Sequence, residues 1–201
     1  YMEGGGACWD FDSCSGKDGV RGARNPNGIP DDYMSLLNPG ASLVTPFITR
    51  ISLFDSVKTQ QWNMVYVPYC TGDIYSGDRV VVYDDPSGQE EPLVWHHNGL
   101  RNNRAVVSWL KDNLERPTQM LSTGCSAGGA GSLTNYAVLR RDMAPTHSFL
   151  FDDSGPIFDA PVGADPEEYP QLPLQNQIRQ ACCLEARSGP LQRLAGETRL
   201  G

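Results

Sequence analysis

Residues 118–142 of the 201-residue chain read TQMLSTGCSAGGAGSLTNYAVLRRD. The periodicity predicts a strand over Thr118–Thr123 and a helix over Ala127–Asp142. Ser126 lies between them in a G-x-S-x-G pattern, which predicts a nucleophile elbow over residues 124–129. Because such a serine stands on a tight, strained turn, small residues are needed on both sides of it.

The elements predicted around this stretch alternate between strands and helices. A buried strand is predicted at Asn63–Val67, and two strands joined by a turn at Asp85–Gly88 are predicted at Arg79–Tyr83 and Leu93–His96. An amphipathic helix follows at Asn98–Leu114, and its apolar face carries Val106, Val107, Leu110 and Leu114. A further strand is predicted at His147–Phe151. A short helix is also predicted at Tyr33–Leu37, and a surface loop at Ala160–Pro173. This alternation predicts an α/β fold, a mostly parallel sheet with helices on both faces.

Residues 1–181 are predicted to form one domain, followed by an irregular tail at 182–201. The chain opens directly on Tyr1 without a leader, so we expect a domain truncated at both ends. Hydrophobic residues make up 39% of the chain and charged residues 20%, which is typical of a globular protein. Without an apolar run of about 18 residues, no membrane span is expected. The net charge of −8 argues against nucleic acid as a partner.

The six cysteines bear on the compartment. Cys8 and Cys14 lie close together in a loop rich in Gly, Asp and Ser, which favours a small disulfide-stapled loop in an exported protein. Free cysteines in a cytosolic protein are the alternative. No C-x-x-C pair or nearby histidine completes a zinc site, so no metal is expected, and no cofactor either.

Acyl transfer by a serine requires backbone donors for the oxyanion, a base and a group that orients the base. The amide of Ala127 follows the serine, and the triplet Gly4–Gly6 could supply a second donor from Gly5 or Gly6. A plain tight turn is the alternative interpretation of the triplet.

The base is missing from the pattern. In this class of fold the acid and the histidine follow the serine in sequence, and the three histidines are His96, His97 and His147. His147 begins the next strand and is expected at the far edge of the sheet. His96 and His97 precede the serine, and each is either a substrate contact or a structural histidine. We therefore expect the acid and the histidine beyond residue 201.

Several other residues are candidates for the pocket. The segment that follows Val67 would leave the sheet at its carboxyl edge, where ligands bind in open α/β folds. Asp153 ends a strand near the same edge and either forms part of the wall or caps the turn at Ser154–Gly155. The candidate pocket residues are Trp9, Tyr69, Asp73, His97 and Asp153.

Four blocks of sequence together resemble the pectin acetylesterase/Notum family. They are EGGGACWD at residues 3–10, VPYCTGD at 67–73, GCSAGGAGS at 124–132 and DSG at 153–155. Their order and spacing match over residues 1 to about 180, which is far more specific than the elbow alone. The GGGACWD and HHNG sequences look closer to the bacterial members.

The resemblance implies a serine carboxylesterase with an α/β-hydrolase fold. It implies Ser126 as the nucleophile, and an oxyanion hole formed by Gly5 or Gly6 with Ala127. The implied reaction is hydrolysis of an acyl ester, acetyl for the plant members, on a carbohydrate or lipid-modified group outside the cell or in the periplasm. We expect a monomer acting on a small-molecule or carbohydrate ester.

Two other classes of function remain open. A non-catalytic carbohydrate-binding domain would explain the missing base, with Trp9, Tyr69, Tyr75 and Trp95 as stacking surfaces for sugar rings. A serine peptidase on the same fold would use the same residues as the esterase.

Overall fold

The computed structural model describes residues 1–16, 19–33, 58–155, 160–161, 163–169, 172–173 and 176. Their elements are helix α1 (Phe11–Cys14), 3-10 turns at Arg21–Ala23 and Lys58–Gln61, strands β1 (Arg79–Tyr83) and β2 (Leu93–His97), helix α2 (Gly99–Asn113), strand β3 (Gln119–Cys125), helix α3 (Ala127–Met143) and strand β4 (His147–Asp153).

The unit β3–α3–β4 defines the architecture. β3 and β4 run parallel, in register from Gln119 opposite His147 to Cys125 opposite Asp153. Helix α3 joins them and packs against both strands. Parallel strands joined through a covering helix are the building unit of α/β folds. The α/β class predicted from the sequence is confirmed.

The first three residues extend this parallel sheet. Met2 forms parallel bridges to both Val67 and Gly124. The Met2 amide donates to the carbonyl oxygen of Thr123 over 2.8 Å, and the Val67 amide donates to that of Tyr1 over 2.9 Å. The spatial order is therefore the segment ending at Val67, then residues 1–3, β3 and β4. The carboxyl ends of all four meet at one edge, which is the edge where ligands bind in open α/β sheets.

The predicted buried strand at Asn63–Val67 is wrong in its extent. Only Val67 forms a bridge, Asn63 is exposed, and the residues between them are partly buried.

Strands β1 and β2 form the predicted hairpin. They pair antiparallel, with Arg79 opposite His97 and Tyr83 opposite Leu93. The turn is stabilised by the carboxylate of Asp85, which accepts hydrogen bonds from three backbone amides within five residues. Trp95 and His97 face the interior, because side chains alternate along a strand.

Helix α2 also agrees with its predicted span, since Asn98 and Leu114 are its caps. Val107 and Leu110 are buried as expected. Leu114 is 39% exposed, because the chain becomes extended at this cap and leaves the apolar face of the helix.

Two predictions lie outside the described residues: the helix at Tyr33–Leu37, apart from Tyr33 itself, and the tail at 182–201. In the described part of the chain, no helix combines the length and apolar character that crossing a bilayer requires.

Candidate active site

Ser126 stands on a strained turn between β3 and α3. Its backbone has φ 57° and ψ −123°, a combination that a residue other than glycine rarely adopts. The Ser126 amide donates to the carbonyl oxygen of Asp153 over 2.7 Å, which fixes the turn against the end of β4. Ser126 is exposed, and its hydroxyl does not cap α3. A strained, exposed residue between a strand and a helix is the arrangement that a nucleophile elbow requires.

Three glycines leave the space that the turn needs. A β-carbon at Gly124 would lie 2.5 Å from the Met2 carbonyl oxygen. A β-carbon at Gly128 would overlap the same oxygen, and one at Gly155 would overlap the carbonyl oxygen of Ser126. Backbone therefore approaches the turn closely from two sides, Met2 on one and Gly155 on the other, and a side chain at any of these glycines would push the turn open.

The glycine triplet lies beside the serine. A β-carbon at Gly4 would lie 3.3 Å from the Ser126 β-carbon and 2.5 Å from the carbonyl oxygen of Cys125. Gly5 is packed against Gly22, and Gly6 has a φ of 77°. The triplet therefore begins directly beside the Ser126 side chain.

A second source of amides is the first turn of α3. The first intrahelical bond there runs from the Ala130 amide to the Ser126 carbonyl oxygen, over 3.1 Å. The amide of Ala127 comes earlier, among the donors that a helix leaves without an internal acceptor. The positive end of the helix dipole is also directed to this place.

Asp73 lies in the interior and not on a pocket wall. Its side chain is fully buried and accepts hydrogen bonds from the Thr71 hydroxyl (2.6 Å), the Tyr75 amide (3.0 Å) and the Gly99 amide (2.6 Å). Burial raises the pKa of this carboxyl, and the hydrogen bonds oppose the rise. Asp73 fixes a turn in which Ile74 and Tyr75 both have positive φ, and it anchors the start of α2.

His97 is likewise an interior residue, which decides between its two interpretations. Its Nδ1 lies 3.0 Å from the carbonyl oxygen of Thr71, and its Nε2 lies 2.9 Å from the Tyr83 hydroxyl. Because a carbonyl can only accept, we assign the proton to Nδ1, and Nε2 accepts from Tyr83. Burial lowers the pKa of His97 to about 4. Both ring nitrogens are therefore occupied by structural partners.

The structure joins Cys8 and Cys14 in a disulfide. Contrary to the sequence expectation, a histidine does lie beside these cysteines. The two sulfurs and a ring nitrogen of His97 are within 4.8 Å of one another. The disulfide leaves neither sulfur as the thiolate that zinc requires.

Tyr69 is also buried rather than exposed to a ligand. It is 2% exposed, stacks on Tyr75 with ring centroids 4.7 Å apart, and its hydroxyl accepts from the Ile74 amide over 2.8 Å. A β-carbon at Gly22 would overlap its ring. The Tyr69 ring therefore packs against Gly22 and against Gly5 of the glycine triplet.

The two remaining pocket candidates are at least partly accessible. Asp153 is exposed at the end of β4, where its carboxylate accepts from the Ser154 hydroxyl over 2.8 Å. This contact matches the turn-capping interpretation. Trp9 is partly exposed in the loop that follows the glycine triplet.

His147 lies where the sequence predicted. It pairs with Gln119 at the start of β3, the end of the sheet opposite Ser126. His96 is exposed and faces away from the interior side of β2.

Sequence reasoning gave no role to Glu3, and it considered Tyr75 only as a stacking surface for sugar rings. The Tyr75 hydroxyl donates to the Glu3 carbonyl oxygen over 2.7 Å, and the Glu3 side chain is buried next to the glycine triplet. One signal in the sequence could have found Glu3: it is a single carboxylate directly before three glycines. The segment that carries it lies between Val67 and β3.

The pectinacetylesterase family model matches residues 51–170, more than half of the chain. The chain belongs to the pectinacetylesterase family. Pectin acetylesterase 4 of Arabidopsis thaliana is 25% identical over 141 residues, covering 70% of this chain and 30% of that protein. The structure of the Wnt deacylase Notum from Drosophila is similar to this chain, with 21% identity and a TM-score of 0.48. The match covers 92% of this chain and 51% of the Notum chain. The chain thus spans about half or less of the proteins that it matches. The plant relative is an acetylesterase by name.

Proposed function

We propose that this chain carries the nucleophile and the oxyanion hole of a serine carboxylesterase. The proposed reaction is hydrolysis of an acyl ester, specifically an acetyl ester, on a carbohydrate. The observation that carries the proposal is the strained, exposed Ser126 at the start of α3, with Gly4 packed against it. The pectinacetylesterase family assignment supports the ester chemistry.

The Ser126 hydroxyl oxygen attacks the acyl carbonyl carbon, while a base takes the hydroxyl proton. The carbonyl oxygen becomes an oxyanion, which accepts hydrogen bonds from the amides of Ala127 and of Gly5 or Gly6. Collapse of this intermediate breaks the ester C–O bond, and the alcohol leaves with the proton from the base. Water then attacks the acyl-enzyme, which releases the carboxylic acid and restores the serine.

The acid and the histidine of the triad are proposed to lie in sequence beyond these 201 residues. This chain spans only 30% of the plant acetylesterase, so the matched protein has ample length outside the similar region. Within the described residues, His97 is occupied by Thr71 and Tyr83, and His147 stands at the opposite end of the sheet. Residues 1–181 are accordingly proposed to be part of one α/β-hydrolase domain.

Charge and redox chemistry constrain the setting. A net charge of −8 opposes binding of a polyanion, so a neutral or highly esterified carbohydrate is the favoured substrate. The disulfide between Cys8 and Cys14 favours an oxidising compartment, extracellular or periplasmic. A monomer is sufficient for this chemistry.

The sugar-binding alternative loses support from burial. Of its four stacking candidates, Tyr69, Tyr75 and Trp95 are at most 3% exposed. They are packed in the interior and present no face to a ring.

The test uses the complete protein that contains this chain. A fluorophosphonate probe should label Ser126, and the adduct is mapped by peptide mass spectrometry. Ser126→Ala should abolish labelling and lower kcat on 4-nitrophenyl acetate by about three or more powers of ten. Labelling at another residue, or full activity in Ser126→Ala, would exclude the proposal. A panel of acetyl esters, longer acyl esters and peptides separates an acetylesterase from a deacylase and a peptidase.

A further inference from the structure

Glu3 is a buried carboxylate that the proposed mechanism does not use. It lies in the strand segment paired with Val67, directly before the glycine triplet, and is 2% exposed. A buried carboxylate is unfavourable unless hydrogen bonds and a counter-charge compensate its lost hydration.

Three donors from two distant segments converge on the Glu3 carboxylate. Arg21 donates from Nη2 over 2.8 Å, and the Tyr33 hydroxyl lies 2.7 and 2.8 Å from the two oxygens. The Tyr69 amide donates over 3.0 Å. Burial and the adjacent Glu3 raise the pKa of Tyr33 to about 12, so its hydroxyl remains a donor at neutral pH.

The backbone of Glu3 is held as firmly as its side chain. Its amide donates to the Val67 carbonyl oxygen over 3.1 Å. Its own carbonyl oxygen accepts from the Tyr75 hydroxyl over 2.7 Å. Every polar group of Glu3 is therefore hydrogen-bonded, to partners in residues 21–33 and 67–75.

The residues that follow need such an anchor. Glycine loses more backbone freedom on ordering than any other residue, so the triplet has little intrinsic preference for one conformation. Gly4 nevertheless approaches the Ser126 β-carbon closely. A shift of about 1 Å in an oxyanion donor can reduce catalysis by roughly two powers of ten.

We propose that the Glu3 carboxylate is a positioning residue, which fixes the Gly4–Gly6 amides relative to Ser126 through its bonds to Arg21, Tyr33 and Tyr69. The inference rests on the proposed esterase function. Charge matters here because bonds to an ionised carboxylate are shorter and stronger than those to a neutral amide.

The matched change is Glu3→Gln, which keeps the shape and removes the charge. In the complete protein, kcat and KM for 4-nitrophenyl acetate are measured per site titrated with fluorophosphonate. The inhibition constant of a trifluoromethyl ketone, which forms an oxyanion on the serine, is measured alongside. Because a misplaced donor weakens the transition state more than substrate binding, we expect kcat to fall by about 10- to 100-fold with KM within about threefold. The ketone constant should rise by a similar factor.

Tyr33→Phe removes one donor and keeps the charge, and we expect a smaller fall in kcat, of about two- to tenfold. The control is Arg101→Ala, which breaks an exposed ion pair with Asp78 and should leave both constants unchanged. A purely structural role would lower the number of titratable sites and leave kcat per site intact.

An unchanged kcat per site in Glu3→Gln overturns the inference, as does a rise in KM alone. If Glu3→Gln yields no folded protein, Tyr33→Phe decides, and wild-type kcat in that variant overturns the inference. Failure of the esterase proposal is distinguishable, because it would appear as full activity in Ser126→Ala, whatever Glu3→Gln does.

Discussion

Gly128, in the first turn of α3, lies directly against the carbonyl oxygen of Met2, so that a β-carbon at this position would overlap it. The contact seats the elbow helix on the strand segment that leads into the glycine triplet. The serine turn can therefore lie this close to the glycine triplet only because residue 128 has no side chain.

Replacing Gly128 with alanine should separate these two segments. We expect the free energy of unfolding to fall by about 3 kcal/mol, because the overlap is with backbone that cannot rotate away. Urea denaturation measures the change. Gly88→Ala is the control: Gly88 has φ 65° with open space around it, so strain alone should cost about 1 kcal/mol. Equal losses in the two variants would contradict the packing argument.

Tyr75→Phe tests the hydrogen bond between the turn that contains Ile74 and Tyr75 and the backbone of Glu3. The change removes the hydroxyl that donates to the Glu3 carbonyl oxygen and lies 3.1 Å from that of Val67. Because a buried acceptor loses its partner, we expect a destabilisation of about 1–3 kcal/mol in urea denaturation.

The matched control for this change is Tyr136→Phe. It removes one partly buried bond to the Ser148 hydroxyl and should cost less than about 1 kcal/mol. A Tyr75→Phe protein as stable as the wild type would show that the turn is held by its other contacts.

His97 should make stability fall in mild acid. Its pKa is near 6.5 when unfolded and is lowered to about 4 by burial in the folded protein. Between these values the unfolded chain takes up a proton that the folded protein does not. The contribution is therefore fully present above pH 6.5 and is lost as the pH falls toward 4, by about 3 kcal/mol in total.

The measurement is the free energy of unfolding from pH 7.5 to 4 for wild type and His97→Gln. The variant should be less stable at pH 7.5 and should show a shallower decline. The control is His96→Gln, which removes the exposed histidine of the same strand and leaves the bonds of His97 to Thr71 and Tyr83 in place, so its curve should follow that of the wild type. Parallel curves for wild type and His97→Gln would refute the prediction.

Removing the Cys8–Cys14 disulfide should destabilise the loop behind the glycine triplet. The bridge spans a sequence separation of 6 and packs with Ala23 and Trp95 in the interior. Closing so short a loop contributes about 2 kcal/mol through the unfolded state. Urea denaturation of the Cys8→Ser, Cys14→Ser double variant should show a loss of this size.

A comparison under reducing conditions completes this test. Dithiothreitol should lower the stability of the wild type toward that of the double variant and leave the double variant unchanged. Cys70→Ser, at a free and partly buried cysteine, serves as the control. An effect of dithiothreitol on the double variant equal to that on the wild type would rule out this bridge as the cause.

Most of the local structure could be predicted from the sequence. The strained turn at Ser126, the hairpin, α2 and the parallel unit follow from periodicity, turn residues and the G-x-S-x-G spacing, which act over a few positions. The strand at Asn63–Val67 was overextended because periodicity reports which residues are apolar but not which of them pair with a neighbouring segment.

The pocket candidates show the limit of such reasoning. Asp73 was expected to line the pocket, and His97 was interpreted as either a substrate contact or a structural histidine, yet both are fully buried. A polar residue at a strand end can face solvent or the interior, and only the partners that reach it decide which. Here those partners are Thr71 and Tyr83 for His97, and Thr71 with two backbone amides for Asp73.

The order of residues by itself determined the α/β class, the turn that presents Ser126 and the family signature, because each can be recognised from the order and spacing of residue types along the chain. Tertiary structure alone decided that Glu3 gathers Arg21, Tyr33 and Tyr69 around a buried charge. Those groups lie 18 to 66 positions from Glu3, and a contact across such a separation exists only when the whole chain is packed.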